Sequence, residues 1–322
     1  MSEPILSVRE FCVDYLTADG PIRALDRISL ELKKGEILGI AGESGSGKST
    51  FAQAVLRIAA PPALITGGEA IFEGKDLLKM NDAELHEVRW KRASLVFQSA
   101  MDVLNPVLTV GAQIRDILRA HTKMTRAEET ARANELVALV ELPKTVLESY
   151  AHQLSGGMRQ RAVIALALSL QPQLVILDEP TTALDVIVER EILQSVLALR
   201  ARLGFSVIFI THDLARMLEI CDRVAIFYAG RLIEIAPAAE LRDDPKHPYT
   251  RKLLTAFPSV RNQASGWGGI PGSPPSLAHP PGGCRFHPRC EVAFADCSDR
   301  EPPLIQINEQ HKAACLLLEP EL

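Results

Sequence analysis

Short, wholly apolar runs alternate along this chain with longer stretches whose apolar positions recur every three or four residues. Ile37, Leu38, Gly39, Ile40 and Ala41 form one such run, and helical periodicity follows over 50–58 after a glycine-rich gap. Leu174, Val175, Ile176 and Leu177 form a second run; Val207, Ile208, Phe209 and Ile210 a third; Val224, Ala225, Ile226 and Phe227 a fourth. Runs of this length without polar alternation suit strands buried on both faces of a parallel sheet. Residues 158–235 therefore read as alternating helix and strand. Residues 5–35 read as strands joined by a hairpin-like turn at Gly20-Pro21, and 69–72 as a further strand. Residues 100–153 differ in character: Ala133, Leu136, Val137 and Val140 fall at i, i+3, i+4 and i+7, which predicts an amphipathic helix. Composition shifts again at Pro258, and 266–283 is rich enough in Gly, Pro and Ser to predict a loop.

The 322 residues leave room for a large core and more than one domain. With 47% hydrophobic and 23% charged residues, the composition is that of an ordinary soluble protein. A net charge of −5 and the lack of a Lys/Arg stripe argue against a nucleic-acid groove. The opening Met1-Ser2-Glu3-Pro4 has no basic n-region, so no signal peptide is expected. The longest apolar run, 162–170, is far short of the ~20 residues a membrane span needs. The chain is expected to dock on a membrane component rather than to cross the bilayer.

Three segments carry chemistry. Gly42-Glu43-Ser44-Gly45-Ser46-Gly47-Lys48-Ser49 matches G-x-x-x-x-G-K-[ST], between a strand and a helix as that motif requires. Its glycines let backbone N–H groups converge on phosphate oxygens, and the helix N-terminus adds partial positive charge. Lys48 is expected on the β- and γ-phosphates, Ser49 on Mg²⁺. The run 174–177 ends in Asp178 and Glu179, where parallel strands gather ligand groups at their carboxyl ends. Asp178 is expected to hold Mg²⁺ and Glu179 to act as general base on the attacking water. Between these lies Leu154-Ser155-Gly156-Gly157-Met158, a second phosphate-seeking turn opening a helix. It has no task on an ATP that the first loop already binds, so it points to a composite site and an obligatory partner.

These three segments in this order resemble an ATP-binding-cassette (ABC) ATPase, a P-loop NTPase, over roughly residues 5–235. The resemblance implies an α/β fold: a RecA-like parallel sheet core, an antiparallel β subdomain, and a helical subdomain at about 100–157. It also implies roles for further residues. Gln98 resembles the Q-loop glutamine that contacts water and Mg²⁺, Asp185 the D-loop, and His212 the switch histidine on the γ-phosphate. Tyr15 sits where the family stacks an aromatic ring on adenine, with Phe11 as the rival. The ATP contacts carried over are Tyr15, Gly42, Ser44, Gly45, Gly47, Lys48, Ser49, Thr50, Asp178 and Asp185. A facing subunit supplies Ser155 and Gly157 across a head-to-tail dimer. Met158 departs from the family's usual Gln; because Ser155 and backbone amides do the phosphate work, little loss is expected. Residues 101–108, with Pro106, resemble the hinge and loop that receive the coupling helix of a transmembrane subunit.

Beyond 235 the cysteines become informative. Cys284, Cys290, Cys297 and Cys315 are spaced C-x5-C-x6-C-x17-C. Without a signal peptide a disulfide framework is not expected, and four thiolates can hold Zn²⁺ or an iron–sulfur cluster, with His287 and His311 as possible substitutes. The spacing does not choose between them. Cys12 and Cys221, isolated in strand and helix patterns, read as buried thiols. The stretches Asp244-Pro245-Lys246-His247-Pro248-Tyr249-Thr250, Gly283-Cys284-Arg285-Phe286-His287-Pro288-Arg289-Cys290 and Ala314-Cys315 resemble the C-terminal extension of oligopeptide/dipeptide importer ATPases. That resemblance implies a structural [4Fe–4S] cluster on the four cysteines, with zinc or unligated thiols as the alternatives, and His247-Pro248 reads as a turn rather than a ligand. The expected organisation is a nucleotide-binding domain over 1–235 and a small cysteine-containing extension over 236–322. The expected function is ATP hydrolysis powering peptide import, with a second ATPase, two permeases and, indirectly, a substrate-binding protein as partners at the cytoplasmic face of the membrane. Oligosaccharide or nickel uptake is the alternative. Soluble ABC ATPases of repair or translation are disfavoured because the chain has one cassette and no long coiled-coil insertion. Assembly-type relatives are disfavoured because they lack the extension.

Overall fold

The computed structural model describes residues 3–97, 103–180, 185–255 and 270–319. In chain order the strands and helices are β1 (Pro4–Thr17), β2 (Gly20–Lys33), β3 (Ile37–Ala41), α1 (Lys48–Val55), β4 (Ala63–Phe72), β5 (Lys75–Asp76), α2 (Asp82–Val88) and β6 (Ala93–Val96). There follow α3 (Val110–His121), α4 (Arg126–Leu139), α5 (Gly156–Ala167), β7 (Leu174–Asp178), α6 (Val186–Leu203), β8 (Ser206–Ile210), α7 (Leu214–Ile220), β9 (Arg223–Tyr228) and β10 (Arg231–Pro237). The chain continues through α8 (Ala238–Asp243), α9 (Pro248–Thr255), α10 (Asp296–Asp299), β11 (Ile305–Gln306) and β12 (Lys312–Ala313). They form two compact units, one built mainly from Lys79–Ile208 and the other from Pro4–Leu32, Glu36–Leu78 and Phe209–Leu322.

The second unit holds an antiparallel sheet of order β2-β1-β4-β5, with Leu6 opposite Phe72 and Tyr15 opposite Ala63. It also holds strands in the order β11-β12-β10-β9-β3. Here β3 runs parallel to β9, with Ile40 opposite Ala225, while β9–β10 and β10–β12 are antiparallel. All five residues of β3 are buried, as its apolar run requires of a strand covered on both faces. Phe51 of α1 joins the two sheets, meeting Phe11 of β1 edge-on at 6.4 Å and Phe227 of β9 at 5.8 Å.

In the first unit β6 and β7 pair in parallel, Ala93 opposite Leu174 through Val96 opposite Leu177, and all five β7 residues are buried. The expected amphipathic helix is α4, which buries Ala133, Leu136 and Val137, with Val140 as its C-cap. Its start follows from local chemistry: Thr125 and Glu128 form a reciprocal capping box. Arg119 of α3 grips Glu129 of α4 through two hydrogen bonds of 2.8 Å. Helix α5 is buried from Ala162 through Ala167, which accounts for the longest apolar run of the chain.

Candidate functional site

The wholly buried β3 delivers the chain into the loop 42–47. Gly42 has φ of 149°, and a Cβ there would lie 2.1 Å from the carbonyl oxygen of Phe227, so only glycine fits. Gly47 caps α1. Lys48 is buried, and its ammonium donates to the carbonyls of Gly42 (2.8 Å) and Glu43 (3.0 Å). Ser49 and Thr50 occupy the first turn of α1, while Ser44 and Gly45 are exposed on the loop. A lysine and backbone amides at a helix N-terminus suit a polyanion. The Tyr15 hydroxyl lies 3.2 Å from Thr50 Oγ1, which puts a half-buried ring beside this loop. Phe11 is fully buried against Phe51 and belongs to the core. His212 is exposed in the turn between β8 and α7, next to Asp213, which caps α7.

The first unit positions the remaining residues. Asp178 closes β7 and is 1% exposed. Glu179 follows with φ of 47°, a left-handed conformation that costs a non-glycine residue of order 1 kcal/mol and clusters at functional sites. Ser155 is exposed and caps the twelve-residue α5, its Oγ accepting from the Met158 amide at 3.3 Å. It is the Met158 backbone that takes part in this cap, consistent with tolerance of a methionine there. A Cβ on Gly157 would meet Val188 Cγ1 at 2.8 Å, so glycine permits the close approach of α5 and α6. Asp185 caps α6 through the Val188 amide at 3.0 Å. Gln98 and the first two residues of the expected docking loop lie outside the described residues. Of the rest of that loop, Val103 and Val107 are exposed, and Gln113 fixes its backbone through Asn105 and Leu108.

All six cysteines of the chain are free thiols, and Cys12 and Cys221 are buried as expected; the other four lie in the extension. Cys284, Cys290, Cys297 and Cys315 line one small cavity together with Phe286, Val292, Leu316 and Leu317. The metal expectation gains no support from the side chains as placed. Among the described residues no group of three or more His, Cys, Asp or Glu side chains is disposed to hold a metal ion. Burial pushes the Cys284 thiol up to about 11, with the other three cysteines adding to the effect, and burial likewise raises Cys290 and Cys315. The thiolate is the ligating form, so binding a cluster or zinc here would release these protons. His311 is committed elsewhere: its Nε2 lies 2.8 Å from Glu234 Oε1 and its Nδ1 3.3 Å from Glu240. His287 Nδ1 lies 3.0 Å from the Cys284 carbonyl.

Glu234 is a residue that the sequence reading passed over. It is fully buried and also accepts from the amides of Lys246 (2.6 Å) and His247 (3.0 Å). Its signal was a carboxylate inside the apolar run Leu232, Ile233, Ile235. A buried charge in such a run needs partners, and the partners here come from the extension.

Residues 25–182 match the family model for the ABC transporter, and 233–297 that for the oligopeptide/dipeptide transporter, C-terminal region. The chain is 42% identical over 317 residues to the dipeptide transport ATP-binding protein DppD of Caldanaerobacter subterraneus subsp. tengcongensis, covering 98% of this chain and 97% of that protein. It is 40% identical over 321 residues to the oligopeptide transport ATP-binding protein OppD of Bacillus subtilis, covering 98% and 90%. The chain belongs to the ATP-binding proteins of the oligopeptide/dipeptide ABC transporter family. Its fold matches the dimeric ATP-binding cassette MJ0796, solved with ADP and Pi in a post-hydrolysis state. That match has a TM-score of 0.65 at 28% identity and covers 72% of this chain and 98% of that one. It also matches cbiO1 of Clostridium perfringens, part of the ABC transporter complex cbiONQ, with TM-score 0.65, 26% identity and coverage of 76% and 92%. As a member of this family the chain is an ATPase with the ABC cassette fold, a parallel core joined to an antiparallel subdomain. Among the described residues no helix is long and apolar enough to cross a membrane.

Proposed function

We propose that this ATPase powers the import of di- or oligopeptides, working as one of two cassettes in a head-to-tail dimer on a pair of membrane permeases. One observation carries the nucleotide role: Gly42 and Gly47 shape a loop that only glycine can follow, and this loop feeds Lys48 into the start of α1. The peptide cargo is supported by the extension, which matches the peptide-transporter C-terminal model and is built into the same compact unit as that loop.

The chemistry divides among the residues as follows. Amides of the loop 42–49 and Lys48 bind and orient the phosphates, and Tyr15 stacks on the base. By the family resemblance Ser49, Asp178 and Gln98 would hold Mg²⁺, which would neutralise phosphate charge. Glu179 takes the proton of the attacking water, and His212 orients the γ-phosphate. Ser155, Gly157 and the N-terminal dipole of α5 complete the partner cassette's site, and Asp185 lies next to that junction. ATP then bridges two cassettes and hydrolysis removes the bridge, a population switch driven by contacts that exist only in the closed state. The helical region at about 100–157 receives the permease, with exposed Val103 and Val107 offering it apolar contacts. On this reading the chain works at the cytoplasmic face of the membrane as a peripheral subunit.

The test is anaerobic co-purification of the complex and measurement of ATPase stimulation by loaded binding protein. Peptides are expected to stimulate; stimulation by oligosaccharides or nickel in their place overturns the cargo assignment. Iron and acid-labile sulfide in the same sample test the [4Fe–4S] cluster that the resemblance implies for Cys284, Cys290, Cys297 and Cys315. Their absence would leave the site as four thiols around a cavity.

A further inference from the structure

Glu43, the second residue of the phosphate-binding loop, is held from three sides. Its carbonyl accepts from Lys48 Nζ at 3.0 Å. Its amide donates to the Tyr249 hydroxyl at 2.9 Å. Its carboxylate is gripped by both terminal nitrogens of Arg289, at 2.6 and 3.0 Å. Two of these three partners belong to the C-terminal extension, more than two hundred residues away in sequence (206 for Tyr249 and 246 for Arg289).

Neither partner is a loose surface contact. The Arg289 side chain is 7% exposed, its Nε donates to the Pro271 carbonyl at 2.8 Å, and it donates to the Tyr228 hydroxyl at 3.2 Å. Tyr249 is wholly buried, packed at 4.6 Å on Tyr228 and at 5.3 Å on Phe286. A planar guanidinium fixed at three nitrogens sets the direction as well as the charge of its carboxylate partner, which an ammonium on a flexible stem does not. A side chain so constrained fixes the backbone it grips, and the grip here falls on the residue whose carbonyl meets Lys48.

We propose that Arg289 and Tyr249 are positioning residues of the ATPase: they hold Glu43 so that the phosphate-binding loop keeps its ligand-ready path. The extension is then a working part of the nucleotide site. The proposal rests on the reading of residues 42–49 as the ATP loop, and its recognition chemistry is that of MgATP.

The test uses the assembled transporter and a double-mutant cycle on Arg289 and Glu43, with KM and kcat measured separately. Arg289→Ala and Glu43→Ala are each expected to raise KM for MgATP about tenfold, with a smaller change in kcat, and the double variant no more than the worse single one. Arg289→Lys, which keeps charge but loses the fork, falls between. Tyr249→Phe keeps the buried ring and removes only the acceptor of the Glu43 amide, so the extension stays folded; it is expected to raise KM about threefold. Single-variant losses that multiply, or wild-type KM in both Arg289→Ala and Tyr249→Phe, overturn the proposal. Lys48→Ala separates it from the reading beneath. If wild type fails to bind MgATP, or Lys48→Ala binds it equally well, the ATP-loop reading falls. If Lys48→Ala alone loses binding, only the positioning role falls.

Discussion

Replacing Glu234 by glutamine tests how the extension is held, because the side chain keeps its size and loses one acceptor and its charge. The carboxylate receives three donors: Lys246 N and His311 Nε2 on Oε1, and His247 N on Oε2. Burial pushes this carboxyl up, yet His311 and the two amides, with the Thr250 hydroxyl nearby, more than offset that and hold it below the usual range. An amide offers one oxygen, so its NH₂ must face a donor. At least one buried N–H then loses its acceptor, at a cost of about 1–3 kcal/mol. The remaining bonds lose charge assistance, worth about 1 kcal/mol more. The sum is about 2–4 kcal/mol, and it falls on β12, which pairs with β10 through Glu234 and Ala313. A single melting temperature is not a clean measure for a chain of two compact units. Amide hydrogen exchange at Ala314, whose N–H donates to the Ile233 carbonyl at 2.7 Å, reports the local opening instead. Exchange there is expected to speed up about 30- to 1000-fold, at one factor of ten per 1.36 kcal/mol. Exchange within a factor of three of wild type would refute the argument that Glu234 pins the extension.

Acid should act on the same region. Burial lowers His247 from 6.5 to about 4, and its Nδ1 accepts from the Tyr249 amide at 3.0 Å. The unfolded chain takes up that proton at higher pH, so this stability is present above about 6.5 and is lost as pH falls towards 4, by about 3 kcal/mol in full. Glu234, also lowered, adds to the loss below its ordinary value of 4.5; protease sensitivity of 305–315 measured from pH 7 to 4 checks both, and a flat profile contradicts them. Glu179→Gln is expected to slow turnover by about 10²- to 10⁴-fold while trapping ATP in a dimer seen by gel filtration, and near-normal turnover would remove Glu179 from the base role. Ser155→Ala costs α5 its cap, about 1 kcal/mol; it is expected to abolish ATP-dependent pairing while equilibrium dialysis still shows ATP on single subunits, and intact pairing would contradict the composite site.

Why was so much of the cassette legible from residues alone, and the extension so little? Strands buried on both faces admit only apolar side chains, so β3 and β7 announced themselves, and each ends where ligand groups are found. Gly42 was legible for an equally local reason: no other residue follows its backbone, and a motif made of backbone requirements survives reading without a structure. The cap at Ser155 is local too, its acceptor and donor lying three residues apart.

The misses are long-range and made by side chains. Arg289 stands in the run 283–290 beside two cysteines, and nothing near it in sequence shows that its partner is Glu43. The same holds for His311, offered as a metal ligand by its residue type but taken by a carboxylate 77 residues upstream. Cysteine spacing did bring four thiols to one cavity, because the chain must fold back on itself within that stretch. It carried no information on burial, which raises the Cys284, Cys290 and Cys315 thiols. Local spacing therefore reports what the backbone must do, whereas the charge and partner of a buried side chain depend on which distant segment covers it. In this chain the covering segment is the extension. Three of its holds, Arg289 on Glu43, Arg285 on Asp26 and His311 on Glu234, all join residues that no local pattern could pair. The first of these reaches the phosphate-binding loop itself, so the part of the chain least legible in sequence bears directly on its most legible motif.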